Sequence, residues 1–199
     1  MKAWPLMEHF YTLQGEGWHQ GKAAYFIRLA GCDIGCSWCD VKESWNAENY
    51  PEVQIENLIE FVSNTKAPIV VITGGEPAMY PLETLCDAMH AIQKKVHIET
   101  SGAYPILGDF DWITLSPKRF KKAITDSLQR ANELKVVIAH ENDLRWADTF
   151  RKDISESCLL YLQPEWDARE KMMPLIVQKV MEEPEWRISL QTHKYLNIP

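Results

Sequence analysis

The chain lacks a fourth cysteine where one would close a metal site. It has five among 199 residues. Three crowd into Cys32-x3-Cys36-x2-Cys39, while Cys86 and Cys158 stand far along the chain and alone. A closed structural zinc site takes four ligands, from two Cys-x2-Cys pairs or from cysteines with paired histidines, and only one such pair occurs here. Disulfides fit poorly, because three clustered cysteines leave an odd thiol. No apolar run approaches the ~20 residues of a membrane span, and Met1 to Glu8 lack the apolar core of a signal peptide. The expected setting is therefore cytoplasmic, with reduced thiols and no membrane. A net positive charge is also lacking: the formal net charge of -7 disfavours broad attraction to nucleic acid and points to a small substrate. Low-complexity tracts, long linkers and fixed repeats are missing too, so one domain over residues 1–199 is expected.

What is present is an open thiolate site. Iron-sulfur cubes are held by cysteines on short loops, and three ligands on a four-iron cube leave one iron with a free coordination position. An open position signals chemistry, as it does in catalytic zinc sites. A 4Fe-4S cluster on Cys32, Cys36 and Cys39 is favoured over zinc or idle thiols. Cys86, among Leu82, Leu85 and Met89, and Cys158, opening an apolar strand, read as small core residues.

Around this loop, strands and helices alternate. Ala24 to Leu29 predicts a strand running straight into the cysteine loop. Ile55, Leu58, Ile59 and Val62 carry helical spacing. Ile69 to Thr73 is a β-branched run suited to a strand buried on both faces. Helices are expected over 82–92, 122–130, 141–152 and 171–182, and strands over 96–99, 112–115, 134–138, 158–162 and 186–190. Such alternation implies parallel pairing through right-handed crossovers. A complete eight-fold barrel takes about 250 residues, so the expected fold is α/β, a partial β/α barrel of about six strand-helix units with a mostly parallel sheet.

Parallel α/β folds bind ligands at the carboxyl ends of their strands, and here those ends are chemically loaded. The cysteine loop follows the first, Thr73-Gly74-Gly75-Glu76-Pro77 the second, and Glu99-Thr100-Ser101-Gly102 the third. Ser116-Pro117-Lys118, Gln163-Pro164 and Gln191-Thr192-His193-Lys194 follow later strands. All are expected to face one mouth. The set suits S-adenosylmethionine: paired glycines let backbone approach an amino group, Glu99 and Ser101 can bond ribose hydroxyls, Trp38 can cover the adenine, and Lys118 can meet a carboxylate. Each has a plainer alternative, Gly74-Gly75 as a turn and Trp38 as packing.

The ordered series Leu13-Gln14-Gly15-Glu16-Gly17, Phe26 to Cys32, Trp38-Cys39-Asp40, Thr73 to Pro77, Glu99 to Gly102, Ser116 to Lys118 and Gln191 to Lys194 resembles the radical S-adenosylmethionine superfamily and, within it, the 7-carboxy-7-deazaguanine synthases. The resemblance runs from about residue 10 to the terminus. It implies that 6-carboxy-5,6,7,8-tetrahydropterin is rearranged to 7-carboxy-7-deazaguanine with loss of ammonia, on the route to queuosine and related 7-deazapurines. The cofactors carry the hard step, and the protein orients the substrate. Ser37, Trp38, Cys39, Gly74, Gly75, Glu76, Glu99, Ser101, Ser116, Pro117, Lys118 and Gln163 are expected to bind the cofactor.

For the substrate the expected residues are Leu13, Gln14, Gly15, Glu16, Arg28, Thr73, His193 and Pro199. Arg28 offers a donor fork to the pterin carboxylate, or else forms an ion pair at a strand end. The N–H donors of the pyrimidine edge suit a carboxylate, a role the resemblance gives to the terminal carboxylate of Pro199, with Glu16 as a second acceptor. His193 either bonds the substrate or packs. The resemblance also implies a magnesium ion, but Val41 stands where relatives place a hydroxyl residue. Hard cations need oxygen, leaving Asp40, Ser44, water and substrate, or no ion at all. An electron donor such as flavodoxin or ferredoxin and a homodimer are likewise implied. Two other readings stand: another radical enzyme such as a glycyl-radical activase, and a non-enzymatic metal-binding module.

Overall fold

In the computed structural model, which describes residues 2–199, nine strands form one open sheet in the order β3-β1-β2-β4-β5-β6-β7-β8-β9. The strands are β1 (Ala3–Leu13), β2 (Ala23–Leu29), β3 (Glu52–Gln54), β4 (Ile69–Gly74), β5 (Lys95–Thr100), β6 (Trp112–Leu115), β7 (Glu133–Ile138), β8 (Leu159–Pro164) and β9 (Trp186–Ile188). From β2 to β9 every pairing is parallel. Six helices accompany them: α1 (Ile55–Ser63), α2 (Glu83–Ala91), α3 (Thr125–Arg130), α4 (Asn142–Asp148), α5 (Arg169–Glu182) and α6 (Thr192–Leu196). The partial barrel of about six strand-helix units is present, with no helix between β5 and β6.

Two strands go beyond the sequence reading. β1 and β3 add an antiparallel edge, β3 on β1 and β1 on β2. β1 escapes a period-2 pattern because its register shifts between Leu6 and Glu8, and a bulge exchanges the faces on which side chains fall. α6 was also not expected from the sequence, and helices α3 and α4 are shorter than 122–130 and 141–152.

Strand alternation sorts the residues by face. Tyr25, Ile27, Leu29, Val70, Ile72, Val96 and Ile98 share one buried core with Leu58, Val62, Leu85 and Met89 of α1 and α2. Leu134, Val136, Ile138, Leu160 and Leu162 share another with Met172 and Ile176 of α5. Burying each such side chain contributes roughly 1.5–3 kcal/mol. The alternate residues, Arg28, Thr73, Glu99, Lys135 and Gln163, point to the opposite face and line a cavity. Cys86 and Cys158 are buried in the two apolar cores.

The turn joining β1 to β2 sits at the amino ends of the parallel strands, since Leu13 pairs with Ala23. It folds inward across the sheet. His19 packs on His97 of β5 and Trp112 of β6, with ring centroids 4.5 and 4.6 Å apart. The Trp18 amide donates to Glu133 of β7 at 2.9 Å, and the Gly17 amide to Ser189, just past β9, at 3.0 Å. Four strand spacings separate β5 from β9, roughly 19 Å in a flat sheet. Neighbouring residues of one turn reach both, so the sheet curls around them. Among the described residues no helix is long and apolar enough to cross a membrane.

Candidate active site

The carboxyl-end mouth is assembled by backbone bonds between loops. After β2, the chain enters the cysteine loop; after β4, Gly75 donates to Leu29 O at 3.0 Å and Glu76 to Gly31 O at 2.8 Å. This contact explains Gly75: a Cβ there would lie 2.8 Å from the Cβ of Cys32, closer than packed carbons tolerate. Glu76, 1% exposed, ties the same loop to the end of β5. Its carboxylate accepts from the Ala78 amide at 3.0 Å, the Ser101 amide at 2.8 Å, and the hydroxyls of Thr100 and Ser101. All its acceptor capacity is used within the protein.

Cys32, Cys36 and Cys39 line one cavity with Trp38, Gly74 and Gly75. Among the described residues no three His, Cys, Asp or Glu side chains are gathered tightly enough for a single metal ion. Three soft thiols spread around one opening, with glycine backbone beside them, suit a multi-iron cube with a neighbouring ligand. Burial pushes the Cys32 and Cys36 thiols up, so loading metal there must release protons. Lys118 donates to Ser116 O at 2.8 Å and to Ser116 Oγ at 2.7 Å, with its ammonium 5.5 Å from the Trp38 ring centroid. Burial holds that ammonium below the usual lysine range.

The inward turn supplies the floor. Gln14 donates to Glu99 at 2.8 Å and accepts from the Glu16 amide at 3.1 Å. The Glu16 carboxylate forms an ion pair with Lys135 of β7, their side chains 13% and 5% exposed. Burial alone would raise Glu16, but Lys135, aided by His193 and Gln191, holds it below the usual carboxylate range. Burial likewise opposes the Lys135 charge, and Glu16, Glu99 and Glu133 overcome it, raising Lys135 above the usual lysine range. Beneath them Glu133, bonded to Trp18 N and to Thr114 at 2.9 Å, is raised by burial. Gly17 has a φ of 64°, and a Cβ there would meet the Glu133 carboxyl carbon at 2.8 Å; only glycine combines that backbone with that contact.

Every residue expected to bind cofactor or substrate lines this one cavity except Ser37, which is exposed, and Pro117, which is buried. Arg28 both lines it and donates to Glu8 at 2.6 Å. Ser44 is off the lining and turns its hydroxyl to Val41 O at 2.7 Å, whereas Asp40 lines the cavity and pairs with Lys194 at 3.2 Å. Sequence reading passed over Lys135, Trp45 and Trp166, which also line it. For Lys135 a signal existed: a lone cation inside the apolar run Leu134 to Ile138.

The Radical SAM superfamily model matches residues 26–142. A 7-carboxy-7-deazaguanine synthase of Flavobacterium psychrophilum is 50% identical over 195 residues, covering 98% of this chain and 92% of the relative. One from Synechocystis sp. is 45% identical, covering 98% and 94%. The crystal structure of QueE from Escherichia coli superposes with a TM-score of 0.86 at 30% identity, over 94% of this chain and 93% of that one. With the cavity, the curled parallel sheet and these likenesses together, the chain belongs to the Radical SAM superfamily and, within it, to the 7-carboxy-7-deazaguanine synthases.

Proposed function

We propose that this cavity rearranges 6-carboxy-5,6,7,8-tetrahydropterin to 7-carboxy-7-deazaguanine with loss of ammonia, the mouth holding the cofactors and the inward turn holding the substrate. The observation that carries the reading is convergence: three thiols, the Gly74-Gly75 backbone, Arg28 and the Glu16 turn all line one cavity. The 4Fe-4S cluster and S-adenosylmethionine, which family membership implies, supply one-electron cleavage that starts radical chemistry when bound. The chain's residues do the rest. Cys32, Cys36 and Cys39 would hold the cluster through their three thiolates. Gly74 and Gly75 would present backbone to the methionine end, Glu99 and Ser116 would serve the ribose because the Ser101 hydroxyl is engaged by Glu76, and Lys118 would meet a carboxylate.

Glu76 acts indirectly, by fixing the glycine loop against Thr100 and Ser101. Arg28 binds the pterin carboxylate, its Glu8 partner holding the guanidinium in place. Glu16, Gln14 and the terminal carboxylate of Pro199 accept from the pyrimidine edge. Thr73, His193 and the apolar ring of Phe26 complete the walls and limit water access. For magnesium, Asp40 is the oxygen ligand at hand, with Ser44 engaged elsewhere. A flavodoxin or ferredoxin as electron donor, a homodimeric assembly and a cytoplasmic setting belong to the same proposal.

The test is anaerobic incubation of the reconstituted protein with carboxytetrahydropterin, S-adenosylmethionine and dithionite. The deazapurine product is expected. Cleavage of S-adenosylmethionine without that product would favour a different radical enzyme, and extension of the chain beyond Pro199 with full turnover would remove the terminal carboxylate from the site.

A further inference from the structure

Lys135 has no assigned task in the reaction, yet it is the most deeply buried cation of the cavity lining. It is 4% exposed, on the inward face of β7. Its ammonium meets the Glu16 carboxylate of the inward turn, a contact across 119 positions of sequence. Gln14, two residues from Glu16, is itself fixed by Glu99. The turn is further pinned from behind, where Gly15 O accepts from the Thr192 amide at 3.0 Å and from its hydroxyl at 2.9 Å. A carboxylate carried on a turn is ordinarily free to rotate and, in so buried a place, inclined to take up a proton.

We infer that Lys135 is a positioning residue for the pterin: its ammonium fixes the Glu16 carboxylate in orientation and keeps it ionised, so that the carboxylate accepts the N–H donors of the pyrimidine edge. The inference rests on the reading of Glu16 as a substrate acceptor. The groups that act on Glu16 are Lys135 of β7, His193 of α6, Gln191 before it and Lys118 after β6, while Glu99 of β5 and Glu133 of β7 act on Lys135 and Pro199 lines the same cavity. Among the described residues, Lys135 alone bonds the Glu16 carboxylate as a cation within hydrogen-bond distance. With it removed, only His193 and Gln191 still oppose burial, and the Glu16 carboxyl takes up a proton at higher pH, losing an acceptor oxygen.

The test reads equilibrium binding of 6-carboxytetrahydropterin by calorimetry, anaerobically and without reductant, on the reconstituted protein. Native protein is expected to bind with an affinity that this carboxylate leaves flat from pH 8 to 6. Lys135→Met is expected to weaken Kd by about 30-fold or more and to make binding fall as pH drops through that window. In a Glu16→Gln background the same change should add little, because the two residues act as one unit. Glu16→Gln with native affinity overturns the reading of Glu16 itself. Glu16→Gln weakened, with Lys135→Met unchanged in Kd and pH profile, overturns the role of Lys135 alone. Titration of ¹³C-glutamate-labelled native protein decides the point even if the Met variant fails to fold. Glu16 titrating below the ordinary glutamate value of about 4.3 supports the inference, and titration at or above it overturns it.

Discussion

The cavity is built from two kinds of backbone, and they solve the burial of polar groups differently. At the mouth, loops leave adjacent parallel strands side by side and bond to one another: Gly75 to Leu29, Glu76 to Gly31, and the Glu76 carboxylate to Ala78, Thr100 and Ser101. At the floor, a turn from the opposite end of the sheet is threaded inward and held by side chains of β5, β6 and β7, chiefly Glu99, Trp112, Glu133 and Lys135. The mouth is local and repetitive, which suits cofactors shared across a superfamily. The floor depends on charges drawn from distant strands, which suits a substrate peculiar to one family.

Breaking the mouth should have the largest effect. Cys32→Ser is expected to abolish turnover and to lower iron retention from about four per chain, the content of a cube, as measured by metal analysis after anaerobic reconstitution. Retained iron with full activity would remove Cys32 from the site. Next comes Glu76→Ala, which strands four buried donors at the junction of two mouth loops. A loss of about 4 kcal/mol in urea-unfolding free energy is expected, since hydrogen bonds to charged groups are worth roughly 1.5–3 kcal/mol each and do not add fully; a loss under 1 kcal/mol would show the junction to be dispensable.

The floor gives a smaller, pH-dependent effect. Burial, reinforced by His19, pushes His97 down to about 3. The unfolded chain therefore accepts a proton between pH 6.5 and 3 that the folded floor excludes, so stability is full above pH 6.5 and drains as pH falls through that window. At pH 4 the loss due to this group reaches at most ~3 kcal/mol. His97→Gln should flatten the dependence of unfolding midpoint on pH between 6.5 and 4; an unaltered slope would deny His97 that role. Smallest of all is the rim. Glu8→Ala breaks an exposed pair with Arg28 and should change unfolding free energy by less than ~1 kcal/mol, while a raised KM for the pterin would show that Glu8 steadies Arg28 for substrate.

Much of the mouth was legible because strand-end loops follow one another in sequence order. Cys32, Gly74, Glu99, Ser116 and Gln163 each lie at or just past the carboxyl end of a recognisable strand, and parallel topology sends those ends the same way. Lys135 was harder to read. Its neighbours Leu134 and Val136 face the apolar core, and strand alternation turns Lys135 to the cavity, but only knowledge of what faced it across the interior could tell a functional lysine from a misplaced one. Trp166 is equally silent in the sequence: its place against Tyr195, with ring centroids 5.3 Å apart, joins two segments that no local pattern connects.

By itself the sequence determined the strands of the parallel sheet and most of the helices between them, the three-thiol loop and the order of the loaded strand ends, because these are set by local backbone preference and residue spacing. Only the tertiary structure decided that the Leu13 to Gly17 stretch enters from the amino end of the sheet and meets the others from below. That placement depends on a bulged antiparallel strand, on the curl of the sheet and on a buried pair 119 residues apart, and such long-range contacts leave no period in the chain to be read.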